Sequence, residues 1–473
     1  MDLIPIHKLR RKPKPPALET SIDRIATARL AADDARLSKS PSFPSRMSPF
    51  RRLRGGKRAR SCSPAASLVG EPVAAIVSNS AKFANDAGDE PSLKIPAFLT
   101  QSDNELQRRF QDIQEKEAER TKPAIDLDDD DDNDDNDKTT WTFHQNENEQ
   151  GKSLMDRYFN IKPWSHNRVK LNVPDGAPDY VNASPIAVPA SDDDTPALHY
   201  IAMQGPTVPS FDSVWRMVAE NTTSTAVIVQ LTTMMEGLQV KCSQYFPFSD
   251  EDKTWALNAD DAWGDGWTAT LTYESTEALC DGAIERRKLL LHVGGEPAPR
   301  TVWHFLYLRW PDFGTPALTD VPNFFELMKM SREHAPAVDE PRFVHCSAGV
   351  GRTGTFICLE HLVRELETGA FDAVDPNDPD AADLVYETVD ALRRQRRCMV
   401  QSAPQYTFVY QVMRQLWAER YGLSDDDVRA AAGASSQQPA SKRFEMATDP
   451  ASDDDAASIV SDGGGVSLAQ TAE

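Results

Sequence analysis

The sequence predicts an α/β protein in which a twisted mixed central sheet is flanked by helices, with disordered extensions at both ends of the chain. Between residues 154 and 417, short apolar runs rich in β-forming residues alternate with runs of helical periodicity. Outside this region the apolar period is lost, and charged, Pro, Ser or Gly residues dominate. The chain has 473 residues, of which 40% are hydrophobic, so it is long enough to bury a sizeable core.

The first predicted element is a helix over residues 103–120. Ser102 and Glu105 have the spacing of a capping box, in which each side chain satisfies a backbone amide of the other residue. Leu106 and Phe110 then recur at helical spacing with charged residues between them. We expect this helix to dock on the domain that follows it.

Strands and helices continue to alternate along the rest of the region. Runs rich in β-formers predict strands at residues 199–204, 225–232, 266–274, 286–293, 301–310 and 342–347. Helical periodicity predicts helices at residues 211–221, 321–334, 353–368, 382–394 and 403–421. Elements mixed in this order are typical of an α/β domain built around one sheet.

Charge and composition predict the domain boundaries. Residues 1–91 are expected to be a disordered, basic, Ser/Pro-rich arm, because its first 60 residues carry 16 Lys and Arg against 5 Asp and Glu. Residues 126–137 are an acidic run, expected to be an extended linker inserted into a domain that spans 92–421, with the binding of a cation or of a basic partner as the alternative. Residues 422–473 are expected to be a disordered acidic tail. The basic run 51–60 has three open interpretations: a nuclear import signal, a docking site for an acidic partner, or a solvated tail.

Composition also argues against several classes of function. The formal net charge of −22 argues against nucleic-acid binding by the whole protein, because phosphate backbones attract Lys and Arg. No stretch approaches the roughly 20 apolar residues of a membrane span, and the N-terminus lacks the apolar core of a secretory signal. The six cysteines are scattered, which indicates reduced thiols in a cytoplasmic or nuclear protein. Without an HExxH motif or a ligand-spaced Cys/His cluster, no metal and no other cofactor is expected.

The strongest chemical signal lies in residues 345–354, which read HCSAGVGRTG. A predicted strand enters a tight turn here and a predicted helix leaves it, so backbone amides gather at a helix N-terminus and favour an anion. The same field stabilises the thiolate form of Cys346, and Arg352 offers a planar fork to two phosphoryl oxygens. The amides expected to hold the phosphate belong to Ser347, Ala348, Gly349, Val350 and Gly351. The pattern therefore predicts a cysteine nucleophile that attacks a phosphate group.

This string, with its Cys-x5-Arg core, is similar to the signature of the tyrosine-specific protein phosphatases. From about residue 154 to 417 the chain resembles soluble, fungal members of that family, and the resemblance takes in the preceding helix. It implies the fold of that family and the hydrolysis of phosphotyrosine in proteins through a cysteinyl-phosphate intermediate on Cys346. Thr353 is expected to hydrogen-bond the cysteine sulfur, and His345 either orients the turn or has a purely structural role.

Two further segments match the family in order. Residues 310–316 (WPDFGTP) look like its mobile acid loop, in which Asp312 gives a proton to the leaving phenolate and later takes one from water. Residues 401–406 (QSAPQY) look like its glutamine loop, which makes Gln401 the main water-positioning residue with Gln405 beside it. Ordinary capping of the last helix is the alternative for these two glutamines.

Substrate recognition is implied near the start of the domain. Residues 157–161 (RYFNI) look like the phosphotyrosine recognition loop of the family, in which Tyr158 stacks on the substrate ring. Asn160 stands where many members carry an acidic residue, and it can accept a hydrogen bond from the substrate backbone without a charge. A deep slot lined by Tyr158 would admit phosphotyrosine and leave phosphoserine short of the nucleophile.

Supporting positions are implied by the same resemblance. Glu236 and Lys241 fit positions that tie the catalytic arginine and the acid loop together. Trp310 is expected to support the acid loop, and Arg396 is expected to support Trp310 or an adjacent phosphate.

Three other functions remain open from the sequence: a dual-specificity phosphatase, an inactive phosphotyrosine-binding module, and a scaffold that docks through the basic arm. The Tyr158 segment argues against the first, and the presence of both Cys346 and Asp312 argues against the second. The expected partners are phosphotyrosine-containing proteins in signalling, with a MAP kinase as a candidate because apolar residues at 3–6 adjoin basic ones. We expect a monomer that binds neither nucleic acid nor membrane.

Overall fold

The computed structural model describes residues 95–121, 141–143, 155–311, 314–375, 378 and 381–424. The predicted arm (1–91), the acidic linker (126–137) and residues 425–473 of the predicted tail lie outside the described residues, and so does Asp312.

The described residues contain six α-helices. They are α1 (Asp103–Arg120), α2 (Phe211–Glu220), α3 (Val321–Glu333), α4 (Gly351–Thr368), α5 (Leu384–Gln395) and α6 (Ala403–Tyr421). All six were predicted, and the bounds of α1 and α6 are the predicted ones. Ser102 caps α1 by accepting a hydrogen bond from the amide of Glu105 at 3.3 Å. Ser402 caps α6 in the same way, and Gln405 returns a bond to the amide of Ser402, so this helix begins with a full capping box.

Ten strands are described. They are β1 (Ala183–Val188), β2 (Leu198–Met203), β3 (Thr225–Gln230), β4 (Met235–Glu236), β5 (Gln239–Val240), β6 (Thr254–Leu257), β7 (Ala269–Leu279), β8 (Ile284–Val293), β9 (Arg300–Tyr307) and β10 (Arg342–His345). The six predicted strands are confirmed. The sequence did not reveal β1, β4, β5 and β6, which are short; β1 also contains Pro185, a residue that an edge strand tolerates.

Eight strands form one twisted mixed sheet in the order β1-β2-β10-β3-β9-β8-β7-β6, and β4 pairs with β5 in a small hairpin. The four central strands β2, β10, β3 and β9 run parallel, whereas β1 and the β8-β7-β6 side pair antiparallel. This arrangement confirms the predicted fold class.

Strand β3 shows how both faces of the sheet are covered. Val227 and Val229 belong to a buried cluster shared with α1 and α3 to α6, whereas Ala226 and Ile228 belong to a second cluster shared with α2. Successive side chains of a strand point to opposite faces, so the alternation places one core on each side. The central strands are therefore apolar on both faces, as expected for buried parallel strands.

The carboxyl ends of the four parallel strands lie at the same edge of the sheet. The last strand in sequence, β10, lies between β2 and β3, so the strand order reverses beside it. Ligands of open α/β sheets bind outside the carboxyl ends of strands at such a switch point. The segments that follow Met203, Gln230, Tyr307 and His345 therefore meet at this edge.

Candidate active site

The turn between β10 and α4 is held from outside through its carbonyl oxygens. The bonds run from Gly205 N to Ser347 O (2.8 Å), from Arg396 to Ala348 O (3.2 Å) and Gly349 O (2.9 Å), and from Gly354 N and Val400 N to Val350 O (2.9 and 3.1 Å). In a trans peptide the amide hydrogen points away from the preceding carbonyl, so the amides of 348–351 face the interior of the turn. None of these four amides donates to an acceptor within the described part of the chain. The turn therefore presents a row of donors suited to an oxyanion.

Gly349 lets the turn approach the end of β2. Its φ is +73°, in the left-handed region that favours glycine. A Cβ at this position would lie 2.0 Å from the carbonyl oxygen of Met203. Because that oxygen belongs to the backbone, no side-chain rotation could relieve the clash. The close approach of two backbones thus explains why the sequence has glycine here.

Cys346 lies at the base of this turn and is 5% exposed. Thr353, in the first turn of α4, donates its hydroxyl hydrogen to Cys346 Sγ at 3.4 Å. Burial raises the pKa of the Cys242 and Cys398 thiols to about 12, so both are protonated and unreactive at neutral pH. Among these three cysteines, only Cys346 has its sulfur bonded to a residue in the first turn of the helix that follows it.

His345 is fully buried and acts on the backbone behind the nucleophile. Its Nδ1 lies 3.1 Å from the carbonyl oxygen of Cys346, and its Nε2 lies 2.8 Å from the hydroxyl of Tyr245. A carbonyl only accepts, so Nδ1 carries the hydrogen and Nε2 accepts from Tyr245. Burial lowers the pKa of His345 to about 4, so the ring is neutral at neutral pH. His345 therefore orients the turn and offers no positive charge to it.

Arg352 is aimed by a buried carboxylate. The two terminal nitrogens of the guanidinium both contact Glu236, with Nη2 at 2.9 Å from Oε2, and Nη1 also donates to Leu231 O at 3.1 Å. Thr232 donates to Glu236 Oε1 at 2.6 Å and fixes that carboxylate in turn. The structure thus places Glu236 against Arg352, as the sequence suggested. The segment after β3 therefore supports the guanidinium.

The two residues before the predicted general acid, Trp310 and Pro311, lie beside Arg352. Arg352 Nη2 donates to Pro311 O at 3.2 Å, and the Arg352 guanidinium lies 5.8 Å from the centre of the Trp310 ring. Trp310 is buried, and its Nε1 donates to Gly314 O at 3.1 Å, so the tryptophan bridges the segment that contains Asp312. Asp312 itself lies outside the described residues.

The predicted recognition loop reaches the turn through Tyr158. The Tyr158 hydroxyl lies 2.8 Å from Ser347 Oγ, which sets the ring as a wall beside the turn. Arg157, which the sequence did not single out, donates to Gly205 O at 3.0 Å and ties this loop to the segment after β2. Phe159 and Asn160 are exposed on the outer side.

The two glutamines differ in their placement. The side chain of Gln405 lies against Gly351, where an added Cβ would be 2.9 Å from its Nε2, and its Oε1 takes part in capping α6. Gln401 is exposed and directly follows Val400, whose amide bonds the turn. Its assignment as the water-positioning residue stays a prediction.

One supporting residue, Arg396, has contacts other than those that the sequence suggested. Arg396 was expected to support Trp310 or a phosphate; instead it is fully buried and donates to the turn carbonyls and, at 2.8 Å, to Asn182 Oδ1. The amide of Lys241 donates to Met234 O at 2.9 Å. Its expected tie to the acid loop stays a prediction, because Asp312 lies outside the described residues. The sequence also gave no role to Tyr245, since its contact with His345 joins residues far apart in the chain.

A cysteine at the base of an amide-lined turn, with an arginine held beside it, invites comparison with known families. Residues 152–415 match the family described as protein-tyrosine phosphatase. The chain belongs to this family. The predicted family resemblance is therefore confirmed.

Several relatives share the domain. The phosphatidylinositol phosphatase PTPRQ of Rattus norvegicus is 34% identical over 270 residues, which is 56% of this chain and 10% of that protein. Tyrosine-protein phosphatase 2 of Schizosaccharomyces pombe is 34% identical over 261 residues, covering 55% of this chain and 33% of that protein. The chain thus spans between a tenth and a third of the length of these relatives.

A solved structure agrees with the fold. The catalytic domain of human protein tyrosine phosphatase non-receptor type 18 matches with a TM-score of 0.50 and 25% identity, over 66% of this chain and 96% of that one. Within the described ranges, no helix is long and apolar enough to cross a membrane. The same residues contain no group of three His, Cys, Asp or Glu side chains placed to hold a metal ion.

Proposed function

We propose that this protein hydrolyses phosphotyrosine in proteins through a cysteinyl-phosphate intermediate. The observation that carries the proposal is the turn between β10 and α4. Its carbonyl oxygens point outward, so its amide hydrogens point inward, around Cys346 and beside Arg352. Amides and a guanidinium in these positions can hold the three equatorial oxygens of a phosphoryl group, which is catalysis by positioning and electrostatics.

The first step forms the intermediate. Cys346 Sγ attacks phosphorus as the bond from phosphorus to the tyrosyl oxygen breaks, and Asp312 gives its proton to that oxygen. A phenolate is a poor leaving group, so protonation is needed as the bond breaks. Pro311 and Trp310 contact Arg352, which supports a place for Asp312 beside the phosphate.

The second step releases phosphate. A water molecule aligned by Gln401 attacks phosphorus, its proton passes to the Asp312 carboxylate, and the sulfur leaves as thiolate. The hydroxyl of Thr353, 3.4 Å from Sγ, stabilises the sulfur as it leaves. The atoms and charges of the starting enzyme are thereby restored.

The substrate class follows from the wall that Tyr158 forms with Ser347. A long aryl phosphate fits a slot bounded by a ring, whereas a phosphorylated serine is shorter. A solved relative is titled as bound to HER2-pY1196 phosphopeptides, which is consistent with a phosphoprotein substrate. The name of the rat relative denotes a lipid substrate instead, so the test below includes one.

The finer assignments belong to the same proposal. The five cysteines in the described residues are free, which supports a reducing compartment such as the cytoplasm, with nuclear entry through residues 51–60 as the second location. The fission yeast relative supports a resemblance to fungal members. The partner hypothesis is a monomeric enzyme that acts in signalling on a kinase such as a MAP kinase. It rests on the sequence of the arm and on the resemblance to fungal members.

The test compares phosphate release from three substrates: a phosphotyrosine peptide, the same peptide with phosphothreonine, and a phosphatidylinositol phosphate. We expect turnover of the first only. Cys346→Ser should abolish it, Asp312→Ala should lower it at least a hundredfold, and Cys280→Ser, outside the site, should leave it unchanged. Preference for phosphothreonine or lipid would contradict the assigned substrate, and full activity of Cys346→Ser would contradict the mechanism.

A further inference from the structure

The chain segment before Gln401 has an unusual backbone. Cys398 has φ +62° and Val400 has φ +54°, both in the left-handed region. This conformation is disfavoured for residues with a Cβ, and most of all for a β-branched residue such as Val400. A strained conformation persists only where its surroundings determine it, so the contacts of this segment must hold it in place.

Val400 is fixed against the catalytic turn. Its amide donates to Val350 O at 3.1 Å, and a Cβ on Gly354 would lie 2.3 Å from that same nitrogen. Arg393, on α5, donates from Nε to Met399 O at 3.0 Å and from Nη2 to Val400 O at 3.1 Å. These contacts fix the second half of the segment.

Glu117 fixes the first half. It lies on α1, is 5% exposed, and accepts a hydrogen bond from the amide of Cys398 at 2.9 Å on Oε2. Its Oε1 accepts from Arg397 Nε at 3.3 Å and from Cys398 Sγ at 3.4 Å. Arg393 Nη1 lies 3.8 Å from Oε2, so this carboxylate also faces the guanidinium that holds Val400.

We propose that Glu117 is a positioning residue for the second chemical step. Through the Cys398 amide and Arg393 it holds segment 398–400, which contains the two left-handed residues, and so fixes the direction in which the chain continues into Gln401. The inference rests on the proposed function, because it takes Gln401 to align the attacking water. A small displacement of a positioning group is costly to rate. The first step uses Asp312 together with Cys346 and Arg352, and neither of the latter two is among the described residues that Glu117 contacts.

The test separates the two steps by rapid-quench kinetics on the full chain with p-nitrophenyl phosphate. Its leaving group needs little protonation, so hydrolysis of the intermediate limits turnover and the first turnover appears as a burst of nitrophenol. For Glu117→Ala we expect an unchanged burst rate and about a tenfold slower steady rate. Glu117→Gln keeps an acceptor for the Cys398 amide and should recover most of that loss. Glu119→Ala, exposed on the same helix, should match the unchanged protein.

The outcomes are distinct. The inference would be overturned if the burst rate and the steady rate slowed by the same factor, and if Glu117→Gln were slowed as much as Glu117→Ala. That result would indicate that the Glu117 carboxylate has only a structural role. So would a Gln401→Ala variant whose steady rate is unchanged, because Glu117 would then have nothing to position. Failure of the proposed function would instead be seen as the absence of any phosphate release from a phosphotyrosine peptide by the unchanged protein.

Discussion

The Glu236→Gln substitution removes the negative charge that faces Arg352 while keeping the size of the side chain. In the structure Glu236 is almost fully enclosed, with 5% of its side chain exposed, and the Arg352 side chain is 13% exposed. Breaking a buried ion pair by removing one partner typically costs about 3–5 kcal/mol, because the remaining charge is left uncompensated. Arg352 keeps two carbonyl acceptors, Leu231 O and Pro311 O. We therefore expect the substitution to cost about 2–3 kcal/mol of the interaction energy that holds Arg352 in place.

This loss should be seen mainly in the transition state, since the guanidinium would no longer be aimed at the phosphoryl oxygens. At 1.36 kcal/mol for each factor of ten, it corresponds to a fall in kcat/KM of about 30- to 150-fold. The assay is kcat/KM on a phosphotyrosine peptide, with urea unfolding of the same variant to measure stability. A Glu236→Gln protein that keeps kcat/KM within threefold would refute the role assigned to this pair.

The matched control is Glu277→Gln. Glu277 pairs with Arg286 in the same chemical sense, yet 49% of its side chain is exposed. Exposed pairs contribute about 0–1 kcal/mol because water and salt screen them. We expect neither kcat/KM nor the free energy of unfolding to change beyond that range, so the contrast isolates burial and the contact with Arg352.

Two further predictions concern pH and substrate choice. Burial lowers the pKa of His345 to about 4, whereas an unfolded histidine titrates near 6.5. Between those values the unfolded chain binds a proton that the folded chain does not, so this contribution to stability is full above pH 6.5 and is lost as the pH falls toward 4. His304 and His361 are shifted in the same direction, so the share of His345 is measured against a His345→Gln variant. Between pH 7.5 and pH 5 the free energy of unfolding should fall by about 2 kcal/mol more in the unchanged protein than in this variant, and an equal fall in both would contradict the assignment. Phe159 is 89% exposed beside Tyr158, so Phe159→Arg should improve kcat/KM about two- to fivefold for a phosphopeptide with acidic flanking residues relative to a neutral one, as expected for an exposed ion pair. Val338→Arg, an exposed position before β10 at the opposite edge of the sheet, should show no such shift, and equal effects of the two variants would argue against a flanking-residue site at Phe159.

The sequence was informative where a local pattern carries the structure. The turn around Cys346 needs glycines, an arginine six positions on and a helix start, all within ten residues, so its chemistry could be predicted. The α1 bounds were equally clear, because Ser102 and the apolar period are local signals. Arg396 was misjudged because its acceptors, the turn carbonyls and Asn182, come from two other parts of the chain. Residue spacing in a sequence does not predict contacts between residues that are far apart in the chain.

The same distinction bears on where the folding unit begins. The family match starts at residue 152 and leaves out α1. Yet Leu106 and Ile113 on α1 are fully buried in the cluster that also holds Phe408 of α6, and Glu117 on the same helix bonds the segment before Gln401. A helix that fills the core and holds the backbone beside the site cannot be an appendage. We infer that the domain begins at or before Ile95, and that the residues outside the family match help to organise the chemistry inside it.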